Sequence, residues 1–163
     1  MKALRTLLST ADEVSPLLAR VALGLVMFPH GAQKALGWFG GYGFNGTMGF
    51  FTEQMHIPAL FAFLAITAEF AGSLGLIAGF LSRVAAFGVA MNMVVAVVTV
   101  HAGNGFFMNW AGNQQGEGCE YHLLALGLAV VVMVSGAGKW SVDRLLSQRI
   151  DGQTVRAAVP RAA

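Results

Sequence analysis

Glu69 is the residue most in need of explanation, because it lies inside a long apolar run. Reckoned at 1.5 Å per residue, it is roughly 17 Å from either end of a helix over 57–80. No side chain is long enough to carry a carboxylate from that depth to water. It must be protonated, paired with a cation, or beside trapped water. A second apolar run supplies partners. His30 and Lys34 come after Pro29 and stand four apart, so they share one helix face. His30 matches Glu69 in depth, and Lys34 lies nearer the end of its helix. Pro29 removes a backbone donor and favours a kink. A third run has Asn92 at its middle, with Thr99 two turns later and His101 at its end; Glu120 and His122 open a fourth. His30, Lys34, Glu69, His101, Glu120 and His122 are therefore expected around a polar cavity in one half of a helical bundle. The plainer alternative is that each pair only glues two helices together. Arg20, near the start of the first run, reads as an anchor that snorkels to the interface.

The elements that must position these groups can be read from composition. The chain has 163 residues, of which 56% are hydrophobic and 11% charged. A soluble domain carries about 25% charged residues, so water cannot be the main solvent here. Net charge is +2 with no basic stripe, which gives nucleic-acid binding no support. Four segments approach the length of about 20 apolar residues that a bilayer requires. They are 17–39, 57–80, 84–102 and 121–137. The expected fold is all-α, a four-helix transmembrane bundle.

Basic residues orient it. Lys2, Arg5, Arg20, Arg83, Lys139, Arg144, Arg149, Arg156 and Arg161 fall on one side, and only Lys34 on the other. Both termini are therefore expected in the cytoplasm. Asp12, Glu13 and Pro16 interrupt any signal-peptide pattern, so residues 1–16 are expected to be a retained cytoplasmic tail. Residues 17–145 form the membrane domain, and 146–163 a flexible cytoplasmic tail. Gly24, Gly31, Ala68, Gly72, Gly75, Gly79, Ala125 and Ala129 have the small size that lets helix backbones approach in lipid. Phe44, Met48, Phe51 and Met55 recur at helical spacing, which predicts a short amphipathic helix in the loop after the first span. Residues 104–118, with Phe106, Phe107, Met108 and Trp110, are expected to fold over the bundle mouth or to anchor at the interface. The lone Cys119 excludes an internal disulfide.

Several stretches resemble the DoxX family of small bacterial membrane proteins. They are Arg20-Val-Ala-Leu-Gly24, Pro29-His-Gly-Ala-Gln-Lys34 and Gly37-Trp-Phe-Gly-Gly41. Glu69-Phe-Ala-Gly72, Gly79-Phe-Leu-Ser-Arg83, Gly105-Phe-Phe and Gly118-Cys-Glu-Tyr121 come next in order. Gly136-Ala-Gly-Lys-Trp-Ser-Val-Asp143 closes the series. The resemblance runs from about residue 17 to 145. It implies a four-helix protein of the bacterial inner membrane, often tied to redox metabolism, with quinone-reducing subunits and partners of oxidative-stress enzymes among its relatives. The family pattern covers Arg20, His30, Gly31, Lys34, Glu69, Glu120 and Tyr121. Ala137 departs from it, since the last glycine pair usually encloses a proline.

Two functions compete. In the first, the protein is a quinone-linked redox or accessory subunit. His30, Lys34, Glu69, Glu120 and His122 would bind the headgroup, with Phe28 or Trp38 along the ring. No flavin, haem or iron–sulfur motif is present in the sequence, so no covalent cofactor is expected and electrons would need a partner enzyme. In the second, the protein is a non-catalytic membrane partner, alone or as a homo-oligomer, that recruits a soluble enzyme. Two further alternatives are a metal or haem site from His30, His101 and His122, and a small proton-coupled transporter.

Overall fold

A computed structural model describes residues 2–158. Among them the fold is all-helical. The elements are α1 (Lys2–Leu8), α2 (Ser15–Leu36), α3 (Gly43–Gly49), α4 (Ala59–Ala78), α5 (Ser82–Ala96), α6 (Glu120–Ser135) and α7 (Val142–Ala158). Glycine sets the ends. Gly37 (φ 75) stops α2 and Gly79 (φ 71) stops α4, each in the left-handed conformation that favours a residue without a side chain. Two wide π turns extend shorter helices. Phe50–Gln54 continues α3, so the expected amphipathic loop helix is present, and Val97–His101 continues α5. Each π turn fits an extra residue into the helix and re-aims the chain beyond it. Thr99 accordingly faces outward, bonded to its own helix at Val95 O (2.8 Å), and does not share the interior face of Asn92.

The helices α2, α4, α5 and α6 form a ring in which α2 packs most extensively on α4. Their core is small-residue rich: Ala86, Val89, Ala125, Ala129 and Val132 are fully or almost fully buried. Small side chains bring backbones close, which raises dispersion contact where no hydrophobic effect is available. The outward faces are apolar. Leu60, Phe61, Val98, Leu124 and Val134 are each more than half exposed. Two helical stretches, Ala59–Ala78 and Ser82–Asn104, are long and apolar enough to cross a membrane. Only 28% and 22% of these stretches is buried within the protein, the reverse of a soluble core helix. The other two expected spans form as helices of 22 and 16 residues.

One end of the bundle is closed by a buried guanidinium. Arg20 is 1% exposed. Its Nε donates to Ala137 O (2.7 Å). Nη1 donates to Leu76 O (2.9 Å) and Ile77 O (2.6 Å), and Nη2 to Trp140 O (2.8 Å) and Lys139 O (3.3 Å). These are carbonyls of the last turn of α4 and of the turn after α6, where a helix runs out of its own donors. The snorkelling role expected of Arg20 is therefore replaced by an interior one: carbonyls closer than the interface take all its donors. Asp143, equally buried, accepts from Leu81 N (2.7 Å) and Ser82 N (2.9 Å), capping the start of α5. Its own N–H donates to Gly79 O (2.9 Å). A β-carbon at Gly79 would sit 2.4 Å from Ser141 Cβ and 3.0 Å from Arg20 Cζ, so this joint needs glycine for space as well as for φ. The family-like stretches around residues 20, 79 and 136–143 thus assemble one polar joint.

Both terminal segments carry helix. Residues 2–8 form a helix that packs on α5 and α7 and buries Leu8 to 2%. The adjoining segment is stitched to the turn after α6 through Ala11 N to Ser135 O (2.9 Å) and Lys139 N to Glu13 O (3.0 Å). The segment from Ser147, expected to be flexible, is helical to Ala158; the expectation for 159–163 lies outside the described residues. Of the leucines of the first segment only Leu8 is covered; Leu4 and Leu7 remain exposed. Arg144 also reaches across to Asp12, with Nη2 2.7 Å from Oδ2, and holds that carboxyl below its ordinary value.

Candidate functional site

Lys34 and Glu69 meet. Nζ of Lys34 lies 2.5 Å from Oε2 of Glu69 in an ion pair between α2 and α4. The glutamate side chain is 9% exposed and the lysine 27%, so the pair is nearly dry on the acid side and open on the amine side. Gly31 makes the contact possible. A β-carbon there would lie 2.6 Å from the backbone C and O of Glu69 and from Phe70 Cα. Without one, α2 lies directly on α4 at the depth of the acid, and Lys34, one turn further on, reaches across. The second carboxylate oxygen faces Asn92 of α5 at 3.4 Å, a long contact, since the same Nδ2 is committed to Ala65 O at 2.8 Å.

The histidines form a second, adjoining group. His101, at the end of the π turn of α5, and His122 of α6 have ring centroids 4.1 Å apart. His122 is buried to 5% and its Nδ1 makes no well-formed hydrogen bond. Tyr121 lies 5.3 Å from His122 and 6.0 Å from His30, ring to ring. Its hydroxyl donates to Met27 Sδ (3.2 Å). His30 is exposed, on the side of α2 that faces Tyr121. A line of aromatic and imidazole rings therefore runs from His101 at the loop end of the bundle to His30, one turn from Lys34. Phe28 extends the apolar part of this region, stacked on Phe70 (6.1 Å) and edge-on to Trp38 (6.5 Å).

Of the expected site residues, the structure thus joins Lys34 to Glu69 and links His122 to His30 through Tyr121. Glu120 goes elsewhere. Its Oε1 accepts from Trp110 Nε1 (3.2 Å), which ties the loop over 105–119 down to the start of α6. That loop closes on its own base, with Glu120 N donating to Phe106 O (2.9 Å) and Gly118 N to Phe107 O (3.2 Å), while Phe106, Phe107 and Trp110 stay exposed. Glu117 further pins it, its carbonyl meeting His101 Nδ1 at 2.8 Å. Two surface cavities, of about 670 and 460 Å³, lie elsewhere, lined by residues around Trp140 and around Phe50. Among the described residues, no three His, Cys, Asp or Glu side chains are arranged to hold a metal ion. Tyr121 and Met27 were not singled out by polarity reasoning. Tyr121 carried a signal all the same, since a phenol next to a histidine at a span entrance needs a partner.

Comparison with known proteins places this geometry in a family. The DoxX family model matches residues 15–102, more than half of the chain, and includes Lys34, Glu69 and Asn92. The chain belongs to the DoxX family. With two helices long and apolar enough for a bilayer, it is an integral membrane protein of that family. The inner membrane protein YqjF of Escherichia coli strain K12 is a relative, 26% identical over 138 residues; the alignment covers 85% of this chain and 96% of YqjF. No solved structure matches. The matched DoxX segment ends before Glu120 and His122, so the Lys34–Glu69 half of the site lies within it and the α6 half outside.

Proposed function

We propose that this DoxX protein spans the bacterial inner membrane four times, with both termini in the cytoplasm, and binds a quinone headgroup at the Lys34–Glu69 pair. The observation that carries the reading is the ion pair itself. A cation and an anion 2.5 Å apart in an apolar segment cost desolvation that a pair of apolar residues would not, and such groups mark ligand or proton sites. Lys34 has three donors and gives one to Glu69, so two remain for a carbonyl arriving from its open side. His30 offers an exposed ring nitrogen one turn away, and Phe28, Phe70 and Trp38 offer flat apolar surface. Those are the groups a quinone ring and its oxygens require, and a bound quinone supplies electron and proton uptake that no side chain here provides. Glu69 orients the lysine ammonium and can take or give a proton as a carbonyl displaces it. Electrons reach such a site only through a partner enzyme, because no side chain here carries them.

Glu69→Gln in native membranes is expected to weaken binding of a quinone analogue roughly tenfold, the equivalent of one hydrogen bond to a charged group. Unchanged affinity removes the assignment. Topology has its own test, since Cys119 is the lone cysteine and stands at the loop end of α6. A membrane-impermeant maleimide is expected to label Cys119 from the periplasmic face of spheroplasts. In a Cys119→Ser background, Gln148→Cys on α7 is expected to react only after lysis. The opposite pattern inverts the protein.

A further inference from the structure

The turn between α6 and α7 holds a tryptophan in an expensive place. Trp140 is 81% exposed and adopts a left-handed backbone (φ 50) that disfavours any residue with a β-carbon. Arg20 holds it there by donating to its carbonyl at 2.8 Å. Beside it opens the cavity of about 670 Å³, lined by Asp12, Ala78, Lys139, Arg144 and Leu145 among others. Asp12 and Arg144 neutralise each other through their paired contacts, which leaves the charge of Lys139 over. The lining also has an apolar part: Leu145 is 60% exposed, and Leu74, four residues before the lining Ala78 and so on the same face of α4, is 45% exposed. A cationic hollow, an exposed indole and an apolar track leading up a candidate span occur together at one level.

We propose that this hollow binds the phosphodiester headgroup of an anionic phospholipid, with Lys139 on the phosphate, Trp140 at the interface and an acyl chain along α4. The inference rests on the four-span topology proposed above, which puts this turn at the cytoplasmic interface. Indole rings prefer that depth, and basic hollows there select anionic headgroups. Arg144 adds direction: with its planar fork held on Asp12, it forms a fixed wall of the hollow.

The three tryptophans allow a direct test. In a Trp38→Phe, Trp110→Phe background, Trp140 is the sole indole. The protein is placed in nanodiscs of phosphatidylcholine with a small fraction of brominated lipid. Brominated phosphatidylglycerol is expected to quench Trp140 at roughly fivefold lower mole fraction than brominated phosphatidylcholine, and Lys139→Gln to remove most of that preference. Equal quenching by the two lipids overturns the proposal while leaving the topology intact. Quenching by neither overturns it together with the placement of this turn at the membrane. Relief of the quenching by millimolar inorganic phosphate also overturns it, because the hollow would then be a site for soluble phosphate. If the double background misfolds, native mass spectrometry of the unmodified chain replaces it, with phosphatidylglycerol expected to be retained over phosphatidylcholine and Lys139→Gln expected to lose it.

Discussion

Arg20→Ala is expected to be the most damaging single substitution in the chain. Five main-chain carbonyls, those of Leu76, Ile77, Ala137, Lys139 and Trp140, accept from this one guanidinium. Alanine removes this donor from all five; Leu76 O keeps the Gly79 N–H (3.2 Å), while the other four lose their guanidinium partner. A hydrogen bond to a charged group contributes about 1.5–3 kcal/mol net, and breaking a buried charged network costs about 3–5 kcal/mol. The expected total is therefore on the order of 4 kcal/mol, most of the stability of a marginal domain. Arg20→Lys is expected to fall between, because a point ammonium reaches two or three of these oxygens and cannot spread over both α4 and the turn after α6. The measurement is thermal unfolding in mild detergent, with the amount accumulated in membranes as a second readout. A Tm for Arg20→Ala within a degree or two of the parent would contradict the joint described here.

Lys34→Met is expected to have the second largest effect, and its size should depend on Glu69. Removing the cation strands a carboxylate that is 9% exposed. The expected cost is about 2 kcal/mol, below the range for fully buried pairs because the lysine side is 27% open and carries less of the desolvation. Glu69→Gln alone is expected to cost less, since Lys34 can swing toward its open side. The double variant Lys34→Met, Glu69→Gln is expected to regain most of what Lys34→Met loses. Strict additivity across this cycle would mean that the two side chains do not interact in the folded protein.

The helices could be read from the sequence because a membrane span requires a long apolar run. Where they ended could not be read from hydropathy alone. Trp38, Phe39 and Phe80 extend the apolar runs beyond Gly37 and Gly79, yet the left-handed glycines stop α2 at Leu36 and α4 at Ala78. Depth reckoning set His30 level with Glu69, but the acid pairs with Lys34, one turn further on, which a long side chain lets reach back across the α2–α4 contact. The reckoning also failed for Glu120, whose partner Trp110 comes from a loop with no such ruler. Arg20 misled for a related reason. Its acceptors are backbone carbonyls, which every residue has and no sequence pattern marks. The helix at 142–158 was hidden by its polarity, and its packing on α1 joins segments that no sequence pattern pairs.

The wide turn at Val97–His101 gives the bundle two independently set halves. Below it, α5 keeps ordinary winding, and Asn92 stays turned to Glu69. Above it, the surplus residue swings the chain so that the His101 ring lies tilted against His122. Deleting one residue there would restore ordinary winding and rotate His101 by about 100° away from its neighbour, with the acid–amine contact deeper down untouched. The loop end can thus be retuned, in evolution or by engineering, without disturbing the charged centre beneath it.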